Sequence, residues 1–151
     1  KYVAHERHTI RSDPTIVTDF SPYLASACKI VGASADAAGL ERCEKAMQEA
    51  LGSEAMAVRS QTYYLDITPP GFDKGTFVEA MAKRLGIATD AVATIGDMQN
   101  DLAMFRVSGT SIAMGNATDS VKDQATHVTA TNEQDGFAEA MEMILKLNGV
   151  G

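Results

Sequence analysis

The chain has 151 residues, 45% of them hydrophobic and 22% charged, and carries a formal net charge of −7. That size suits one medium domain or two small ones; the apolar fraction can fill a core, and no apolar run approaches the ~20 residues that span a bilayer. The acidic balance argues against nucleic acid or an anionic membrane as a partner, but it leaves room for a small phosphorylated molecule if a metal and local cations neutralise the pocket.

Cys28 and Cys43 lie in apolar patterns without metal-ligand spacing, and they read as free, buried thiols of a reducing cytoplasm. No signal peptide is evident. The chain opens at Lys1 inside a segment that reads as ordinary folded protein, so we expect the back part of a longer protein.

Asp13-Pro14 and Ser21-Pro22 punctuate the opening, with Thr15 to Thr18 a short strand candidate between them. Cys28 to Gly32 reads as a second strand. From Ala35 to Leu51, Leu40, Cys43, Met47 and Leu51 recur at helical spacing, and Gly52 closes the helix. Ala55 to Val58 is a short strand. Tyr63, Leu65 and Ile67 alternate with Tyr64, Asp66 and Thr68, the pattern of a half-buried strand. These elements describe a small α+β layer over residues 1–68.

Pro69-Pro70-Gly71 breaks that pattern and is the best linker in the chain. Residues 69–151 then alternate helix and strand. Phe77, Val78, Met81, Ala82 and Leu85 form one helix face, closed by Gly86. A strand from Ala91 runs into Ile95, and a helix with Leu102 and Phe105 inward follows. Ser111 to Met114 is a strand, Val121 to Ala125 a helical turn, and His127 to Thr129 a last strand. Asn132 with Asp135 suggests a capping box for a final helix whose face is Phe137, Met141, Ile144 and Leu145. Helices alternating with buried strands imply a parallel sheet with right-handed crossovers.

The richest stretch is Gly96-Asp97-Met98-Gln99-Asn100-Asp101. It places two carboxylates and a carboxamide at the carboxyl end of a buried strand, where ligands bind in parallel α/β sheets. Two acids without a neighbouring base repel one another and persist most easily around a cation. A hard ion such as Mg²⁺ suits such oxygens. Helix capping accounts for a single Asp equally well, but poorly for the whole string.

Lys74 stands in Asp73-Lys74-Gly75-Thr76 at the start of the preceding helix. A cation is unfavourable at that end of the macrodipole, unless it helps the helix amides to hold a bound phosphate. The alternative is a solvated surface lysine. Asp73 reads as a cap or as a partner for Lys74.

A phosphate-facing lysine, a helix, and a strand ending in Gly-Asp-x-x-Asn-Asp together resemble the back half of the haloacid dehalogenase superfamily. The Cof-type phosphatases with a large α/β cap are the most similar group. The likeness extends through Ala113-Met114-Gly115-Asn116-Ala117, Val121-Lys122 and Thr131 to Phe137. It implies the C-terminal half of a Rossmann-like core over 69–151, a parallel sheet with flanking helices, preceded by the C-terminal part of an α+β cap over 1–68. It implies that Lys74 steadies nucleophile and phosphate, that Asp97 and Asp101 ligate Mg²⁺, and that Asn100 reaches a phosphoryl oxygen. Asn116, on the next strand-end loop, reads as a turn residue, with the pocket edge as the alternative.

One departure is large. The family's paired aspartates, Asp-x-Asp, occur nowhere in the sequence, and its second-motif Ser or Thr cannot be placed. The nucleophile is therefore expected upstream of Lys1, and the chain by itself should be inactive. A strand meant to lie beside Ala91 to Ile95 is missing with it. The partner expected at that edge is the missing N-terminal piece of the same protein, or a second copy.

His5 and His8 share a helix-face spacing but lack a third ligand, and His127 reads as structural. Arg59, Tyr63 and Tyr64 read as strand packing, with a cap surface that recognises the substrate's leaving group as the alternative. A calcium loop at Asp97 fails on spacing, since Leu102 stands where Gly is needed and Ser108 where Glu is. The expected function is a Mg²⁺-dependent phosphomonoesterase of small phosphorylated metabolites, working through an aspartyl-phosphate. A noncatalytic sugar-phosphate or metal-binding module is the alternative.

Overall fold

Two three-stranded sheets carry the structure, one antiparallel and one parallel. The computed structural model describes residues 2–149. A first helix, α1 (Tyr2–Ile10), precedes an irregular stretch that leads to β1 (Ile30–Ala33), α2 (Ala37–Leu51), β2 (Met56–Gln61) and β3 (Tyr64–Thr68). The strands order as β1-β3-β2, with Val31 opposite Asp66 and Val58 also opposite Asp66.

Helix α2 starts where Asp36 accepts the Gly39 N–H at 2.9 Å, an N-cap that satisfies one of the free amides of the first turn. It covers one face of this sheet, burying Leu40 against Ala57 and Leu65. Leu65 and Ile67 alternate with Tyr64, Asp66 and Thr68, so the second set lies on the opposite face, away from α2 and partly under α1. Glu44, on the buried side of α2, accepts from the Arg59 N–H and Nε, both at 2.8 Å. Arg59 is thereby fixed in the packing.

Residues 69–71 turn the chain into α3 (Lys74–Leu85), followed by β4 (Ala93–Gly96), α4 (Leu102–Val107), β5 (Thr110–Ala113), α5 (Asp119–Lys122), β6 (His127–Val128) and α6 (Gly136–Leu147). The strands run parallel in the order β4-β5-β6. Ile112 and Ala113 on the central strand are fully buried, and Ala113 joins Leu102, Phe105, Ala117 and Val121 in the core. This is the α/β fold with flanking helices that the periodicity predicts. No helix among the described residues is long and apolar enough to cross a membrane.

Several expectations need correction. Thr15 to Thr18 forms no strand; it pairs with nothing, and β-branched residues make strands only where a neighbour completes the ladder. Cys28 and Cys43 are exposed; α2 turns Leu40 and Glu44 inward rather than Cys43. Phe77 and Leu85 point outward, Phe77 at 65% exposure, while Gly75 and Ala82 form the buried face of α3. Likewise α6 buries Gly136 and Ala140 and leaves Phe137, Met141 and Leu145 exposed. In both helices the small residues take the contact, since they allow the closest approach of backbones. The expected capping box at Asn132 is absent. Residues Asn132–Gln134 form a 3-10 turn, and Asp135 enters α6 in the left-handed region without a side-chain cap.

Candidate active site

The turn after β4 closes on itself because Gly96 carries no side chain. A Cβ there would lie 2.5 Å from the Cβ of Asp101, too close for any other residue. Asp101, 3% exposed, fills that space. Its Oδ2 accepts the N–H groups of Asp97 at 2.9 Å and Met98 at 3.0 Å, and its Oδ1 accepts from the Lys74 ammonium. One carboxylate thus shapes the loop and anchors the lysine.

Lys74 reaches it from the first position of α3. Asp73 is the N-cap there: its carboxylate accepts the Thr76 N–H at 2.8 Å, and the Thr76 hydroxyl accepts the Asp73 N–H at 3.1 Å. The cap reading of Asp73 holds, and the partner of Lys74 is Asp101. The ammonium is half-exposed while the carboxylate is buried, so the pair has one face in the protein and one toward the cavity that Lys74 lines. Breaking such a pair from the lysine side would strand a buried charge.

Asp97 lies half-buried on the same turn. Its Oδ2 accepts from Asn116 Nδ2 at 2.9 Å, and Asn116 Oδ1 in turn accepts the Asn132 N–H at 2.9 Å. Loops after β4, β5 and β6 are tied in series, which orients Asp97. Sequence reading missed this role for Asn116 and Asn132. The signal available was that both fall just beyond strand ends on the side of the sheet that carries Asp97.

Asn100 contributes a buried Oδ1 with no hydrogen-bond partner among the described residues. It lines a cavity of about 360 Å³ together with Lys74 and Arg106. The opposite wall is the face of the antiparallel sheet away from α2, with Met56, Lys29 and Asp66. The structure therefore brings together all four predicted residues, Lys74, Asp97, Asn100 and Asp101. Among the described residues no three His, Cys, Asp or Glu side chains converge to hold a metal by themselves.

The remaining candidates lie elsewhere. Tyr2 of α1 stacks on Tyr63 with centroids 5.8 Å apart, and the Tyr64 hydroxyl donates to Glu6 at 2.6 Å. The Glu6 carboxylate accepting that proton, with burial and its negative charge, pushes the Tyr64 phenol up to about 12. His127 sits on β6, where its Nδ1 lies 3.0 Å from Thr126 Oγ1.

Known proteins share sequence and fold with this chain. The chain is 34% identical over 107 residues to the 5-amino-6-(5-phospho-D-ribitylamino)uracil phosphatase YwtE of Bacillus subtilis, covering 70% of this chain and 37% of that protein. It is 40% identical over 82 residues to a phosphoglycolate phosphatase of Nitrosopumilus maritimus, covering 54% of this chain and 36% of that one. A haloacid dehalogenase-like hydrolase from B. subtilis matches in structure with a TM-score of 0.78 at 28% identity, over 92% of this chain and 50% of that one. The chain thus spans about a third of these two relatives and half of the solved structure. A family model for haloacid dehalogenase-like hydrolases matches residues 1–141. With a match of that extent, the chain belongs to the haloacid dehalogenase-like hydrolases.

Proposed function

We propose that this chain forms the metal- and phosphate-binding wall of a Mg²⁺-dependent phosphomonoesterase. The observation that carries the reading is the convergence of Lys74, Asp97, Asn100 and Asp101 at the carboxyl end of β4, with Asn100 Oδ1 buried and unpartnered on the cavity wall. The two relatives, both phosphatases, support the reaction class.

The donor set fits Mg²⁺. Asp97 keeps one carboxylate oxygen without a partner among the described residues, its other oxygen being held by Asn116. Both oxygens of Asp101 are engaged, so it would act on the ion through water. An ion that retains several waters and takes one or two carboxylates matches that supply. When bound it neutralises charge on the transferring phosphoryl group.

The chain's own residues do the rest. The half-exposed face of the Lys74 ammonium attracts a phosphoryl oxygen, and Asn100 Nδ2, without an acceptor among the described residues, donates to another. Asp101 holds Lys74 at that position and fixes the turn that presents Asp97. The attacking aspartate of this reading belongs to the part of the relatives that lies beyond this chain. By itself the chain would bind phosphate and turn over no ester.

The test uses the intact protein that contains this chain. With Mg²⁺ and an aryl phosphate, Asp97→Asn should lower kcat/KM by about 100-fold or more, the scale of a lost electrostatic group. Equal activity of wild type and variant would overturn the metal assignment. Phosphate binding that needs Lys74 and Asn100, without turnover by the intact protein, would instead identify a noncatalytic binding module.

A further inference from the structure

We propose that Asn116 sets which divalent ion the site prefers. By occupying one oxygen of Asp97 it leaves the carboxylate a single ligand to offer, which favours Mg²⁺ over Ca²⁺. The proposal rests on the Mg²⁺ reading above and adds the discrimination between ions.

The Asn116 amide has one productive orientation. The backbone N–H of Asn132 can only donate, and Asn116 Oδ1 accepts it at 2.9 Å. With Oδ1 committed, Nδ2 faces Asp97 and donates to its Oδ2 at 2.9 Å. Asp97 Oδ1 is left without a partner among the described residues.

As a tie between loops the bridge is redundant. The Met114 N–H already donates to the Gly96 carbonyl at 2.9 Å, and the Gly115 N–H to the Ala130 carbonyl at 2.9 Å. Those backbone bonds join the same three strand ends. Gln99 Nε2 adds another tie, donating to Ser120 Oγ at 3.0 Å. Asn116 itself is exposed. What its side chain alone supplies is the grip on Asp97.

That grip separates the two ions. Mg²⁺ is small, demands octahedral order and keeps several waters, so one oxygen per carboxylate suits it. Ca²⁺ is larger, gathers more oxygens in looser order and accepts carboxylates that chelate through both. To chelate Asp97 it must displace the Asn116 donor from a charge-assisted bond. Mg²⁺ meets no such conflict, and a carboxylate fixed in direction is ready for it. Hydrogen bonds that orient a metal-ligating group are worth about 10- to 100-fold in affinity.

The experiment measures, by isothermal titration calorimetry, the affinity of the intact protein for Mg²⁺ and for Ca²⁺ with no ester present. Asn116→Ala should reduce the preference for Mg²⁺ over Ca²⁺ about 10-fold, chiefly by weakening Mg²⁺. Asn132→Pro removes the N–H that orients Asn116 while leaving Asp97 and Asn116 in place. Position 132 opens a 3-10 turn behind an extended Thr131, where proline is tolerated. This variant should shift the preference the same way, and it decides the matter if Asn116→Ala fails to fold. Variants that weaken both ions by one factor, or that keep the wild-type preference, overturn the proposal and leave Asn116 a structural tie. If wild type binds no Mg²⁺, or Asp97→Asn binds it equally well, the metal assignment itself falls and this proposal with it.

Discussion

Asp101 shows how a single residue serves geometry before chemistry. The family resemblance put it in one site with Asp97 and Lys74, while the sequence itself offered Asp73 as the partner of Lys74. Its actual partners were not legible, because they depend on how tightly the chain curls past Gly96. Two amides and an ammonium share its oxygens, so Asp101 shapes the loop that presents Asp97. Glu139 makes the same point away from the site. Its carboxylate accepts the Ala130 N–H at 2.8 Å and the Thr129 hydroxyl at 2.9 Å, and these bonds, the amide first, hold its pKa below the usual glutamate range. A carboxyl lowered on folding stabilises the protein above its unfolded pKa, and the benefit fades as pH falls through the folded value. Wild type should therefore melt above Glu139→Gln at neutral pH, and the two Tm values should converge in acid below the carboxylate range. Thermal melts of both across that span check it; a constant gap would show that the bonds do not depend on charge.

At the level of elements, type and order were readable and orientation was not. Periodicity located α3 and α6, yet assigned their bulky residues to the core. The contact goes instead to Gly75 on α3 and to Gly136 and Ala140 on α6. Hydrophobicity alone cannot reveal that a helix is seated by its smallest residues; that choice follows from how closely two backbones meet. Gly75 gives a test in which two effects oppose each other. Alanine is better than glycine inside a helix by ~1 kcal/mol, but a Cβ at position 75 would lie 2.5 Å from the Ala103 carbonyl oxygen. Overpacking against backbone costs ~1–3 kcal/mol. Gly75→Ala should thus be destabilising, by about 1 kcal/mol in urea unfolding. A variant more stable than wild type would mean that α3 and α4 slide apart freely.

At the level of the whole molecule, the alternation of helix and strand announced the parallel sheet. The order β1-β3-β2 of the other sheet was not announced, since strand neighbours are chosen by register and by connections far apart in sequence. Strand β4 pairs with β5 on one side only and ends the parallel sheet among the described residues. An unpaired row of N–H and C=O groups on an apolar strand is a template for another strand. The chain by itself should therefore self-associate with concentration in sedimentation velocity, and Ile95→Lys should return it toward the monomer. A wild-type chain that stays monomeric throughout would show that the edge is protected.

The passage between the two sheets is a single short turn, residues 69–71, with Pro69 and Pro70 excluded from any ladder. Lys74, Asp97, Asn100 and Asp101 lie wholly on one side of it, and the Lys29–Asp66 pair wholly on the other. Under the proposed function, heritable variation could act on the two sides separately. Substitutions around Lys29 and Asp66 would alter the far wall of the cavity without disturbing Gly96, Asp101 or the loops tied through Asn116. A lineage built on this plan would try new substrates while its reaction machinery stays constant, with the prolyl-prolyl-glycyl turn as the seam of that division of labour.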